Sequence, residues 1–355
     1  MNIAQQRLQK QHLLENPLDD PIAVVRHLGA VQSQDYRGAT WGISQRAKGS
    51  PSAAELDTLF NEGKILRTHV MRPTWHFVMP EDIRWLQMLT AARVKAISAY
   101  YWRKLELTEA IFQQTQTLMA KYLEGGKALT RKEIGVLLEA SGIPAADGVR
   151  LGHIMMMAEL EALVCSGPLR GKQHTYALVA ERAPHALVFS RDEALARFAT
   201  RYFTGHGPAQ LKDFAWWSGL TTTEAKEAIA LADLRSFQDQ GLTYWTNDSA
   251  ELPAAKADIL HLLPNFDEFI IAFTDRSASF DISSFTASLP VNLFDGHFIV
   301  LNGKVIGSWR VGTNATRARI TPRLLVKLTR AQETMFHRIV REYGVFRGLT
   351  TEIVQ

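Results

Sequence analysis

Four times along the chain a Ser or Thr is followed three residues later by Glu: Ser52 and Glu55, Thr130 and Glu133, Ser190 and Glu193, Thr221 and Glu224. Each pair fits a capping box, in which hydroxyl and carboxylate satisfy two N–H groups that a helix leaves orphaned at its start. These signals fix where helices begin, and one order recurs around them. Helices at about 3–15 and 20–30 and the Ser52 helix precede "KILRTHVMRPTWHFVMP", two short strands around Arg72-Pro73. "ALTRKEIGVLLEASGI" and "GVRLGHIMMMAELEALVC" precede "SGPLRGKQHTYALV", whose Gly167-Pro168 and Gly171 mark a hairpin turn. A helix from Ser190, then "GPAQLKDFAWWSGL" and "TTTEAKEAIALADL", precede strand-like "LTYWT". Helices followed by a hairpin make the winged form of helix-turn-helix. The plainer alternative is an α+β protein whose caps recur because all helices need them.

The expected class is therefore mainly α with short β-hairpins, an α+β fold. Three tandem winged-helix motifs fill 1–105, 106–183 and 184–254, and a small C-terminal α+β module fills 255–355. In that module "ILHLLPNFDEFIIAF", "HFIVLNGKVIGSWRV" and "RARITP" read as strands, and Asn302-Gly303 as a tight hairpin turn. A last helix is expected over about 322–343.

At 355 residues the chain exceeds one ordinary core, and 46% hydrophobic with 21% charged residues describes a globular protein. No apolar run reaches the roughly 18–20 residues of a membrane span. "MNIAQQRLQKQHLL" lacks the apolar stretch of a signal peptide. The single cysteine, Cys165, excludes an internal disulfide framework and a Cys-based zinc site. A cytoplasmic location fits. Charge is unevenly spread: residues 184–296 carry 8 Lys and Arg against 15 Asp and Glu, whereas 297–355 carry 10 against 3. Eight of those ten are Arg. Such a module suits a polyanion, or else docks on the acidic segment before it.

Nucleotide-binding glycine fingerprints, H-E-x-x-H and G-x-S-x-G are all missing, and the eleven His are scattered, so neither a metal nor an organic cofactor is expected. His76, His153 and His174 read as structural, and Met155-Met156-Met157 as core. Arg67, Arg72 and His76 alternate with Trp75 and Phe77 on the first hairpin. They suit phosphate contact and stacking on DNA, or form an ordinary amphipathic hairpin. Asn265, Asp267 and Glu268 interrupt an apolar run. Asp267 is there a buried anchor or a site carboxylate.

"VQSQD" holds the most informative polar residues. A helix from about residue 20 ends at Gly29, so 32–34 is extended, and alternation points Gln32 and Gln34 the same way. Two amides offer neutral donors and acceptors that hold a water molecule but serve poorly as general base.

"VQSQD", "RTHVMRPTWHFVMPEDIRWL", "LLPNFDEFIIAFTDR" and "VLNGKVIGSWR" together resemble the AlkZ-like DNA glycosylases, over essentially the whole chain. The resemblance implies tandem winged helices forming a C-shaped, basic concave surface. Gln32-Ser33-Gln34 is similar to the QxQ motif of the branch that excises bulky N7-alkylated purines, and Asp35 lies one position beyond a QxD register. It implies catalytic roles for Gln32 and Gln34 in a monofunctional DNA repair enzyme for alkylation damage, within a family that includes interstrand-crosslink glycosylases; whether this chain opens crosslinks is left open by the sequence.

N7-alkylation leaves the purine cationic, so its glycosidic bond breaks without protonation of the leaving base. The enzyme's task is to stabilise an oxocarbenium-like sugar and to place a water. No Lys lies near the motif, Lys48 and Lys64 being the nearest after it, so Schiff-base lyase chemistry is not expected. Damaged double-stranded DNA is the expected partner of a monomer. Bulky adducts call for an open cleft rather than a snug pocket. Arg67, Arg72, His76, Arg317, Arg319 and Arg323 are the candidate DNA contacts, and Asp35, Asn265 and Asp267 the candidate site support. A non-enzymatic winged-helix DNA-binding protein or transcription regulator, or a protein-interaction scaffold, is the alternative.

Overall fold

The structure, a computed structural model, describes residues 2–14, 16–247, 257–280 and 296–354. The expected boundary between 254 and 255 lies outside the described residues. Helix and strand are mixed, and the contacts gather into two compact units. One comprises Met1–Leu56, Ala199–Trp217 and Ala232–Gln355; the other, Asp57–Phe198 and Ser218–Leu231. All four predicted capping boxes form, each Glu accepting from its own Ser or Thr N–H while its backbone N–H donates to the hydroxyl.

In the first unit, Asp20 caps the helix Pro21–Leu28, whose second cap is Gly29 at φ 78°, a left-handed conformation that costs glycine little. A strand of two residues follows, Val31–Gln32, and then the helix Tyr36–Ser44, capped by Asp35. The sheet of this unit has five strands, in the order Thr350–Ile353, Arg317–Leu324, Lys304–Thr313, His297–Leu301, Leu260–Leu263. All neighbours run antiparallel except Thr350–Ile353 beside Arg317–Leu324. The Asn302-Gly303 turn forms as expected, both residues at positive φ.

Two expectations for the C-terminal module need correction. The last helix spans Arg330–Arg347, because Thr329 and Gln332 make a fifth capping box and 317–324 stays extended. "ILHLLPNFDEFIIAF" is a strand only over Leu260–Leu263; the chain then turns, and Asp267 caps the short helix Glu268–Ile271. Trp41 and Trp309 tie this turn down: their indole N–H groups donate to the carbonyls of Leu262, at 2.6 Å, and Leu263, at 3.1 Å. Tyr343 of the last helix meets both rings edge-on. The segment after Leu263 is thereby held against the helix Tyr36–Ser44.

In the second unit, the helices Ile83–Lys104, Glu109–Leu123, Arg131–Ala140 and Gly148–Leu160 close around Val94, Phe112, Met119, Leu138 and the buried Met155, Met156 and Met157. The methionine run is core, as expected. Thr175–Leu178 pairs with both Leu129–Thr130 and Val164–Ser166, with the turn at Gly167-Pro168 and Gly171 where expected. Leu66–His69 and Trp75–Val78 form the expected hairpin around Arg72-Pro73.

Candidate active site

A small recess, with room for about one water molecule, lies within the first unit between the Gln32 segment, the helix Tyr36–Ser44 and the turn 264–268. Leu28, Val31, Ile43 and Pro264 supply apolar wall; Gln32, Arg46, Asp267 and Glu268 supply the polar part. All four polar residues are buried, Gln32 at 5% exposure and Glu268 at 1%.

Two carboxylates stand in this apolar setting, and they are compensated differently. Arg46 grips Asp267 with both terminal nitrogens, at 2.9 and 2.7 Å, and also donates to Gly42 O and Gln11 Oε1. A bidentate guanidinium matches the charge and geometry of its carboxylate, so Asp267 is a buried anchor. Glu268 instead accepts from neutral groups. Its Oε1 takes the backbone N–H of Gln32 at 2.8 Å, and its Oε2 takes the indole N–H of Trp217 at 2.8 Å. His206 Nε2 approaches Oε2 to 3.3 Å without the geometry of a hydrogen bond. That imidazole is buried and stacked on Tyr202.

The segment 32–34 is non-helical, as expected, but the two amides differ in exposure. Gln32 lines the recess while Gln34 is exposed. The reason is local: the strand ends at Gln32, and the chain is already turning at Gln34 toward its helix cap, so strict alternation stops. Asp35 is that cap, accepting from the Gly38 N–H at 3.0 Å. Asn265 donates its backbone N–H to His297 Nδ1 at 3.0 Å, and its buried side-chain oxygen has no hydrogen-bond partner among the described residues. Burial pushes the His297 imidazole below its usual range, with Asp35 opposing.

The candidate DNA contacts divide. Arg67 and His76 are buried, at 8% and 0% exposure, and Arg72 is half-buried. The Arg67 guanidinium stacks over Trp75 at 4.4 Å; His76 Nδ1 donates to Thr74 O, and Arg72 reaches its Nε2 at 3.3 Å. Burial, then Arg72, lowers the His76 pKa well below its ordinary value. Arg67 and His76 thus take part in the hairpin's own packing. Arg317, Arg319 and Arg323 are exposed and alternate along one strand with buried Ala318 and Ile320. Arg310 stands opposite Thr321 and so shares their face. Glu352 partly offsets Arg317 and Arg319, at 3.5 and 3.4 Å.

Arg46, Trp217 and His206 were not singled out from sequence, and Glu268 was noted only as one of the polar residues interrupting an apolar run. Glu268 lies 236 positions from Gln32, and only the turn after Leu263 brings them together. Among the described residues no three His, Cys, Asp or Glu side chains are placed to hold a metal ion, and no helix is long and apolar enough to cross a membrane.

Comparison with known proteins identifies the family to which this mixed helix and strand fold belongs. The family profile described as DNA glycosylase AlkZ-like matches residues 25–346, and the chain belongs to the AlkZ-like DNA glycosylase family, whose members act on DNA in its repair. Among solved structures the fold is similar to that of the Streptomyces sahachiroi DNA glycosylase AlkZ, with a TM-score of 0.73 and 21% identity over 99% of this chain and 98% of that one. A search of curated protein sequences gave no significant match.

Proposed function

We propose that this glycosylase hydrolyses the N-glycosidic bond of N7-alkylated purines, bulky or crosslinked ones included, and leaves an abasic site. The observation that carries this reading is Gln32, an uncharged amide on a non-helical segment, lining a recess whose remaining polar groups are carboxylates and a paired guanidinium. In the reaction the C1′–N9 bond breaks with its electron pair passing to the base, which neutralises the purine cation. Water oxygen bonds to C1′ and releases a proton. Gln32, which lines the recess, orients that water and accepts its hydrogen bond, and Gln34, exposed two residues on, is the second proposed catalytic amide; this suffices because the leaving group arrives activated. No Lys lines the recess, which favours a water nucleophile over an amine and hence a monofunctional enzyme.

The exposed arginines 317, 319 and 323 are proposed phosphate contacts, with Arg310 added from the same face. Arg72 is a weaker candidate, being half-buried. The same proposal includes three winged-helix units over 1–105, 106–183 and 184–254 and an α+β module over 255–355. Incubation with duplex DNA carrying a single 7-methylguanine tests the reaction. The expected products are free 7-methylguanine and an intact strand with an alkali-labile site, with no adduct trapped by borohydride. A trapped covalent adduct contradicts the monofunctional assignment. Binding without base release favours the non-enzymatic alternative.

A further inference from the structure

Of the two carboxylates in the recess only Asp267 has a guanidinium partner; no Lys or Arg pairs with Glu268 among the described residues. Its two oxygens hold one backbone N–H and one indole N–H, and it is 1% exposed. The basic group beside it is the His206 imidazole, whose Nε2 lies 3.3 Å from Oε2 without hydrogen-bond geometry, and the two neutral donors replace a buried carboxylate's hydration only in part. The carboxylate is also bonded to the backbone of the residue proposed to hold the water. Hydrolysis of a cationic nucleoside moves positive charge from the base onto the sugar, and a neutral amide contributes little field against that charge. A fixed negative charge in a low-dielectric wall acts on it at no cost of reorganisation.

We infer that Glu268 is a positioning residue of the glycosylase reaction: its carboxylate pins the Gln32 backbone through the 2.8 Å hydrogen bond and stations a negative charge behind the amide. Trp217 fixes the second oxygen, so the carboxylate cannot swing away from Gln32. This inference rests on the proposed role of Gln32. It assigns Glu268 no contact with substrate; its effect passes through the Gln32 segment and the local field.

The test compares Glu268→Gln, Trp217→Phe and Gln32→Ala in full-length protein. Three quantities are measured: the single-turnover rate of 7-methylguanine release at saturating enzyme, the affinity for a duplex carrying an uncleavable abasic-site analogue, and the melting transition. Glu268→Gln keeps the size of the side chain and removes its charge. Its rate is expected to fall about 100-fold with DNA affinity within about twofold of the parent. Trp217→Phe leaves the charge and removes one tether, and a smaller loss of about fivefold is expected. A merely structural role would lower affinity and melting together with rate. If Glu268→Gln loses its cooperative melting transition, Trp217→Phe decides, and an unchanged rate in that variant overturns the inference. A Glu268→Gln protein that releases base at the parent rate, while Gln32→Ala does not, overturns the inference and leaves the role of Gln32 standing. Parent-like release by Gln32→Ala overturns the role of Gln32 itself.

Discussion

Arg46 shows how much of the recess depends on single residues. Its two terminal nitrogens are committed to Asp267, Gln11 and the Gly42 carbonyl in a buried setting, while Nε has no hydrogen-bond partner among the described residues. Truncation by Arg46→Ala leaves a buried carboxylate without its partner, an expected loss of about 3–5 kcal/mol in urea denaturation. A midpoint equal to the parent's contradicts that account. Gly42 is a finer probe, because a Cβ there would stand 2.7 Å from Asp267 Oδ2, an oxygen held by Arg46. Gly42→Ala is expected to cost about 1–3 kcal/mol through overpacking and to slow base release, both measurable on one preparation. At this scale the sequence was informative where a polar residue stood conspicuously among apolar ones, as Gln32 and Asp267 do, both of which line the recess. It was silent on Arg46, Trp217 and His206, whose side chains look ordinary on their own elements. Their significance lies in contacts between distant segments, which no local spacing announces. Arg67 and His76 show the limit of such a pattern: both side chains are buried, and alternation with aromatics does not say which face of a hairpin is covered.

Elements were legible wherever a local rule sufficed. The four capping boxes, the Asn302-Gly303 turn and the hairpin about Arg72-Pro73 all form, because caps and tight turns are satisfied within a few residues. The last helix was set too early because 322–328 is apolar enough to suit either state; pairing of Arg317–Leu324 with Lys304–Thr313 decides for strand. Removing one cap, as in Thr130→Ala, is expected to lower stability by about 1 kcal/mol in the same denaturation experiment. The exposed arginine face gives an electrostatic prediction. If Arg310, Arg317, Arg319 and Arg323 meet phosphates, replacing Arg310 and Arg323 by Gln should reduce the dependence of log affinity on log salt by about 2. An unchanged slope places the DNA elsewhere.

For the whole molecule, the division into two units built from interleaved segments could not be read from composition or spacing, because contiguous stretches of sequence contribute to both. The charge difference between 184–296 and 297–355 also left its partner open, since charge sums locate no surface. Stability of the first unit should depend on pH through two histidines. His27 Nε2 donates to Lys10 O and His261 Nε2 to Leu13 O, and burial lowers both to about 4. The unfolded chain therefore binds more protons than the folded one between pH 6.5 and about 4. Stability is complete above that window and falls as pH drops through it, by on the order of 3 kcal/mol for the two together after solvent screening. A melting midpoint that stays level down to pH 4.5 contradicts this. The central claim, that the Gln32 segment performs the chemistry, is tested most directly by the single-turnover rate of 7-methylguanine release from duplex DNA by Gln32→Ala. The predicted result is a fall of about 100-fold or more with melting and DNA affinity preserved. Release at the parent rate by a folded, DNA-bound Gln32→Ala protein would contradict it.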